Sequence, residues 1–197
     1  MRRRRRRGRR SYQSLNKKEK RFSLDLMKEV LMWAFQIVVV LLFAFVIVYF
    51  AGVQIRNIGD SMSPTLEADD VVLVNRFIYK IKSPKRGDLV VFKPNGNENS
   101  HFYIKRVAAE PGDTVQIKGG FLYVNDELVT DLPIATIINA GLAEEPLRVE
   151  EDCYFVIGDN PNSSEDSRYA DIGNVNIDYI EGKPWYVISG EDKGRLK

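Results

Sequence analysis

The sequence predicts a mostly β protein: an antiparallel β-sandwich or barrel-like domain behind one N-terminal transmembrane helix. Three observations predict it. Residues 30–53 form an apolar run without a charged side chain. Beyond it, short segments rich in Val, Ile, Phe and Tyr alternate with Gly, Pro, Asn and Asp turn signals. No convincing amphipathic helix follows residue 53, and short strands at this spacing pack as a sandwich or barrel.

The apolar run comes first. Gln36 is its only strongly polar side chain. A helix over 30–53 rises about 36 Å, enough to cross a hydrocarbon core of roughly 30 Å with some tilt. A core helix that is apolar on every face has no place in so small a domain. A cleaved signal peptide has an apolar region of only about 7 to 15 residues and begins nearer the N-terminus. The expectation is an uncleaved signal anchor at 30–53, between a basic cytoplasmic tail at 1–29 and an extracytoplasmic domain at 54–197. Residues 2–10 are all arginine except Gly8, and Lys17, Lys18, Lys20 and Arg21 follow. Positive charge before the span keeps the N-terminus cytoplasmic, which predicts a single-pass protein of the plasma membrane.

Composition narrows the function classes. Residues 54–197 carry 16 basic and 24 acidic side chains, a formal −8, which argues against nucleic acid as a partner. The arginine tract reads as a disordered topogenic tail touching anionic membrane lipid. Cys153 is the only cysteine and His101 the only histidine, so no intrachain disulfide forms and no metal-ligand spacing is recognisable. No metal and no cofactor is expected.

Strands are predicted at 70–75, 86–92, 102–107, 114–117, 121–124, 128–129, 153–157 and 184–188, with turns at Pro94–Asn97, Pro111–Asp113, Gly119–Gly120 and Asn125–Asp126. Residues 131–150 read as loop.

Three places could carry chemistry. Gly59-Asp60-Ser61-Met62-Ser63-Pro64-Thr65-Leu66 is a turn cluster that either exposes the Ser61 hydroxyl as a nucleophile or is an ordinary solvated turn. Lys105 shares one strand face with Tyr103, while Ile104 and Arg106 share the other. It is either a solvated strand lysine or a desolvated amine able to act as general base. The third is the polar loop Gly158 to Arg168, either an Asx-rich turn or a support in which Ser164 and Ser167 orient the lysine beside an Asp166–Arg168 pair. His101 follows a polar loop and reads as a surface histidine.

Together the three sites resemble the type I signal peptidases, membrane-anchored Ser-Lys proteases that release signal peptides from exported proteins. Gly59 to Leu66 is similar to the family's nucleophile box, Arg86 to Phe92 to its second, Tyr103 to Asp113 to its lysine box and Gly158 to Arg168 to its final box. The resemblance implies Ser61 as nucleophile, Lys105 as general base, Ser164 as the serine hydrogen-bonded to the lysine, and Asp166 with Arg168 as a structural ion pair. Gly59 stands where some members have a serine oxyanion donor, as in a Gram-positive-like subset. Ala109 and Pro161 depart from the usual glycine and arginine of their boxes.

The implied reaction is cleavage of preprotein signal peptides after small side chains of the Ala-x-Ala kind, near the secretion translocon. An extended substrate is expected to pair along Gln54 to Ile58, with Gln54, Ile55, Ile58 and Met62 forming its pockets. Two alternatives stand beside this reading: a non-catalytic, membrane-anchored β-domain that binds cell-envelope partners, and a dedicated Ser-Lys processing peptidase.

Overall fold

The computed structural model describes residues 8–51, 53–189 and 193–196, and in residues 8–23 and 50–51 the backbone only. The chain divides into two units, Met1–Ile47 and Val48–Lys197. In the first, helix α1 (Gly8–Ala51) is continuous. Its segment Leu24–Tyr49 has a mean hydropathy of 2.8 and is long and apolar enough to cross a membrane. Apolar side chains project on every face: Trp33, Phe35, Val40 and Phe43 are all more than 60% exposed. Such a helix has no polar stripe to present to water, so lipid is the solvent that suits it. Helix and apolar run differ in extent. The helix continues N-terminal of residue 30 back to Gly8, and Val53, expected inside the span, already belongs to a strand. The arginines before Gly8 lie outside the described residues.

The second unit is built on β1 (Val53–Arg56), β2 (Val71–Asn75), β3 (Leu89–Phe92), β4 (Tyr103–Ala109), β5 (Thr114–Lys118), β6 (Phe121–Val124), β7 (Glu127–Leu128), β8 (Leu147–Arg148), β9 (Cys153–Ile157), β10 (Val175–Asn176), β11 (Ile180–Val187) and β12 (Gly194–Arg195). Every strand pair is antiparallel. The larger sheet runs β1-β2-β11-β3-β4-β9-β10, with β12 on β11; the smaller runs β7-β6-β5-β8. The large sheet curls like a half-barrel, and bulges supply the bend. β11 pairs with β3 through Ile180 and Gly182 and with β2 from Lys183 onward, and its register shifts again between Pro184 and Tyr186. Pro184 has no N–H to give a ladder, so a bulge is where a sheet tolerates it.

Most expected strands are present, and the differences have local causes. β1, β10 and β12 were not anticipated, because two to four residues are too few to show an alternation. Gln54–Arg56, expected only as a track for substrate, pairs with β2 from Val53↔Val74 to Arg56↔Val71. Within 131–150, the pair Leu147–Arg148 adds to the edge of the smaller sheet.

Three apolar clusters hold the domain. One lies between β5, β6 and β9, around Val115, Leu122 and Phe155. A second joins Val90, Phe92, Val107 and Val156. The third joins β1, β2, β3 and β4 to the segment after β1, through Ile55, Met62, Leu66, Val74, Leu89 and Ile104. This third cluster corrects two expectations: Ile55 and Met62 are packing residues, 6% and 0% exposed, and not pocket walls. Met62 and Leu66 act as plugs that seat the intervening turn on the sheet. Met62→Ala is expected to cost about 2 to 4 kcal/mol of stability by leaving a cavity, read from urea unfolding of the detergent-solubilised protein.

Candidate active site

Ser61 sits at the start of the turn that Met62 and Leu66 anchor. Asn57, itself buried, braces the turn by donating from Nδ2 to the carbonyls of Glu67 (2.8 Å) and Gly59 (3.2 Å). Leu66 N–H closes it on the Met62 carbonyl at 3.0 Å. Gly59 enters the turn at φ +73°, a left-handed conformation that glycine adopts without a steric cost. The Ser61 hydroxyl meets Lys105, which projects from the middle of β4, where its backbone pairs with Val90. Lys105 Nζ donates to Ser61 Oγ at 2.7 Å. The two residues are 3% and 7% exposed, so the contact lies out of bulk water. The Tyr103 ring, on the same strand face, has its centroid 5.4 Å from Nζ.

Burial lowers the Lys105 pKa to about 8, because an ammonium loses its hydration in the interior. Asp166, then Glu165, oppose the shift; Arg168 adds to it, and Asp159 opposes it. The nearest of these charges are held in pairs. Asp166 accepts from Arg168 Nε at 2.8 Å and Nη2 at 3.0 Å, from the Gly158 N–H at 3.2 Å and from the Ser164 hydroxyl at 2.7 Å. Arg168 also donates to the carbonyls of Asn139 and Pro161. On the far face of β4, Arg106 makes a two-pronged pair with Asp159 at 2.7 and 2.6 Å and reaches the Gly87 carbonyl at 2.8 Å. Thr65 Oγ1 donates to the same aspartate, so this pair joins the Ser61 turn, β4 and the loop after β9.

That loop also touches the Ser61 turn directly. Asn160 N–H donates to the Ser61 carbonyl at 3.0 Å. A Cβ added at Gly158 would collide with both the Ser61 carbonyl oxygen and the Ser164 hydroxyl. Only glycine lets the two segments approach so closely. The Ser61 N–H donates to no protein group among the described residues.

The profile of the family described as "Signal peptidase, peptidase S26" matches residues 30–188, most of the chain. The chain belongs to this signal peptidase family. Signal peptidase I of Bacillus amyloliquefaciens is 38% identical over 149 residues, covering 71% of this chain and 77% of the relative. A Synechocystis sp. protein named "Probable signal peptidase I-2" is 39% identical over 117 residues, which is 56% of this chain and about half, 52%, of that relative's length. The crystal structure of a signal peptidase I from Enterococcus faecalis V583 is 30% identical and covers 52% of this chain and 97% of its own, with a TM-score of 0.41. Family membership makes the chain a hydrolase, a serine endopeptidase that removes signal peptides, and the apolar α1 fits the membrane anchoring of that family.

Within the signal peptidase fold, the expected residues fall into two groups. Ser61, Lys105, Ser164, Asp166 and Arg168 lie together. The hydrogen bonds differ from expectation: the Ser164 hydroxyl goes to Asp166, and the Ser167 hydroxyl accepts the Val156 N–H at 2.9 Å, so Lys105 is bonded to neither serine. Of the four expected pocket residues, Ile58 alone lines the cleft of about 270 Å³ that opens over Ser61 and Lys105. Gln54 lies on β1, while Ile55 and Met62 are in the core. His101 is exposed and stacks on Tyr103 with ring centroids 6.0 Å apart.

Sequence reasoning missed Arg106, Asp159, Thr65 and Asn160. One signal was present: an arginine beside Lys105 in a strand of aliphatic residues needs a buried carboxylate, but nothing local chooses Asp159 among the acidic side chains. Arg168→Met removes the partner of a buried carboxylate next to Lys105. It is expected to cost about 3 to 5 kcal/mol of stability. Asp166 then faces the lysine uncompensated, so the ascending limb of the pH-activity profile moves to higher pH; unfolding and a pH series check both.

Proposed function

We propose that Ser61 and Lys105 perform the peptidase chemistry as nucleophile and general base, in a domain held outside the cell membrane by α1. The observation that carries this reading is the 2.7 Å hydrogen bond between two buried side chains, one of them an amine whose pKa has fallen to about 8. A neutral Lys105 takes the hydroxyl proton as Ser61 Oγ attacks the scissile carbonyl. The resulting ammonium returns that proton to the leaving amine as the acyl-enzyme forms. Water then attacks the ester, and Lys105 takes its proton and passes it to Ser61 Oγ as the second product leaves. The Ser61 N–H is a ready donor for the oxyanion, and such a donor contributes about 3 kcal/mol to the transition state. Gly59 brings no side chain to that place.

The substrate track follows from the sheet. β1 is the terminal strand of the larger sheet, with one edge taken by β2 and no strand on the other among the described residues. An extended segment of preprotein pairing there leads past Ile58, 60% exposed, to the cleft over Ser61. With Ile55 and Met62 packed in the core, neither opens a deep pocket beside the cleft, in keeping with small side chains of the Ala-x-Ala kind. The basic residues before the apolar span support a cytoplasmic N-terminus, and the opposite side is where preproteins emerge from the translocon.

Ser61→Ala and Lys105→Ala are each expected to abolish processing of a preprotein in detergent micelles while circular dichroism stays that of the folded protein; substantial cleavage by either variant overturns the dyad. The active form has a neutral lysine, so kcat/KM should rise with pH through about 8 and flatten above it. At pH 7 roughly a tenth of the enzyme is then competent. A profile flat between pH 6 and 9 contradicts the base assignment.

A further inference from the structure

The cleft over Ser61 has one wall that the dyad chemistry does not use. Tyr103, His101 and Glu165 line it together with Ser61 and Lys105. Glu165 is the only carboxylate among the lining residues, and it is exposed. Tyr103 Oη donates to its Oε2 at 3.0 Å. No protein donor reaches Oε1 among the described residues, and no lysine or arginine lies within ion-pair distance of the side chain. Two aspartates that also act on Lys105 behave differently: Asp159 and Asp166 are each closed by a guanidinium. Glu165 is therefore a tethered anion with a free oxygen, facing the space where the substrate must lie.

We propose that Glu165 is a specificity-determining residue, whose carboxylate favours a cationic side chain next to the scissile bond of the preprotein and disfavours an acidic one. The inference rests on the reading of Ser61 and Lys105 as the reacting pair, since that reading makes this cleft the place of cleavage. The Tyr103 hydrogen bond restrains the carboxylate before substrate arrives, so less side-chain freedom is lost on pairing. The surrounding charge works in the same sense, because residues 54–197 carry a formal −8. An exposed pair of this kind is worth a modest preference, about two- to fivefold between cationic and neutral side chains, with an acidic side chain below both. The preference shrinks in high salt.

The test uses the full-length protein in detergent and preprotein peptides identical except for Lys, Gln or Glu at the second position before the cut or at either of the first two positions after it. Glu165 also strengthens the hold of Lys105 on its proton, but that effect is common to every peptide, so ratios of kcat/KM isolate selectivity. In the unaltered protein the order Lys > Gln > Glu is expected at one or more positions, narrowing as salt rises. Glu165→Gln should collapse the spread and Glu165→Lys should invert it. Tyr103→Phe, which keeps the charge and loses the tether, should keep the order. Equal rates for the three peptides at all positions in the unaltered protein overturn the proposal without reference to any variant, as does an unchanged spread in Glu165→Gln. Cleavage of the Gln peptide by Ser61→Ala would instead remove the dyad reading beneath it, a distinct result.

Discussion

The proposed role of Lys105 as base requires an amine that loses its proton, and the rest of the domain bears on how that is arranged. Removal from water lowers its pKa, yet two aspartates lie close enough to reverse the effect by acting as counterions. Each aspartate is instead bound by an arginine: Asp166 by Arg168 and Asp159 by Arg106. The guanidiniums divert the carboxylates from the lysine. Asp166 and the unpaired Glu165 still oppose the lowering and Arg168 still assists it, and burial outweighs them. Pairs of this kind cost desolvation energy and are not obvious sources of stability. Here they keep Lys105 from becoming one half of an ordinary salt bridge.

The same pairs organise the chain in space. Arg106 follows Lys105, so the alternation of β4 sends one side chain towards Ser61 and the next to Asp159. Asp159 follows Gly158, which lies against the Ser61 carbonyl, and Asn160 donates to that carbonyl. One strand and one loop thereby grip the nucleophile turn from two sides. Met62 and Leu66 supply the third hold by burial.

How much of this was legible in the sequence follows from the range of each signal. Strands such as β3, β6 and β9 announce themselves through runs of branched and aromatic residues, and α1 through an uninterrupted apolar stretch. β10 and β12, two residues each, exist because of the strands beside them, which no local pattern encodes. Ser61, Lys105 and the Asp166–Arg168 pair could be found because motifs carry them. Their partners could not all be found that way. The Ser164 hydroxyl goes to the buried Asp166 carboxylate, a strong acceptor because it is charged. Met62 failed as a pocket residue for a related reason: adjacency to Ser61 in sequence says nothing of direction, and the turn points its large side chain into the sheet.

Gly158 shows how packing and chemistry share one constraint. Its backbone φ is not of the left-handed kind that only glycine favours, so turn geometry does not require glycine there. What requires it is proximity, since the Ser61 carbonyl and the Ser164 side chain occupy the space of a Cβ. A methyl group at this place could be admitted only by separating the loop from the nucleophile turn. Asn160 would then lose the Ser61 carbonyl, and Asp159 would pull on Arg106 in β4. Because Arg106 adjoins Lys105, the displacement reaches Lys105 as well as Ser61. The spacing of Ser61 Oγ from Lys105 Nζ is thus set by a glycine that bonds to neither side chain.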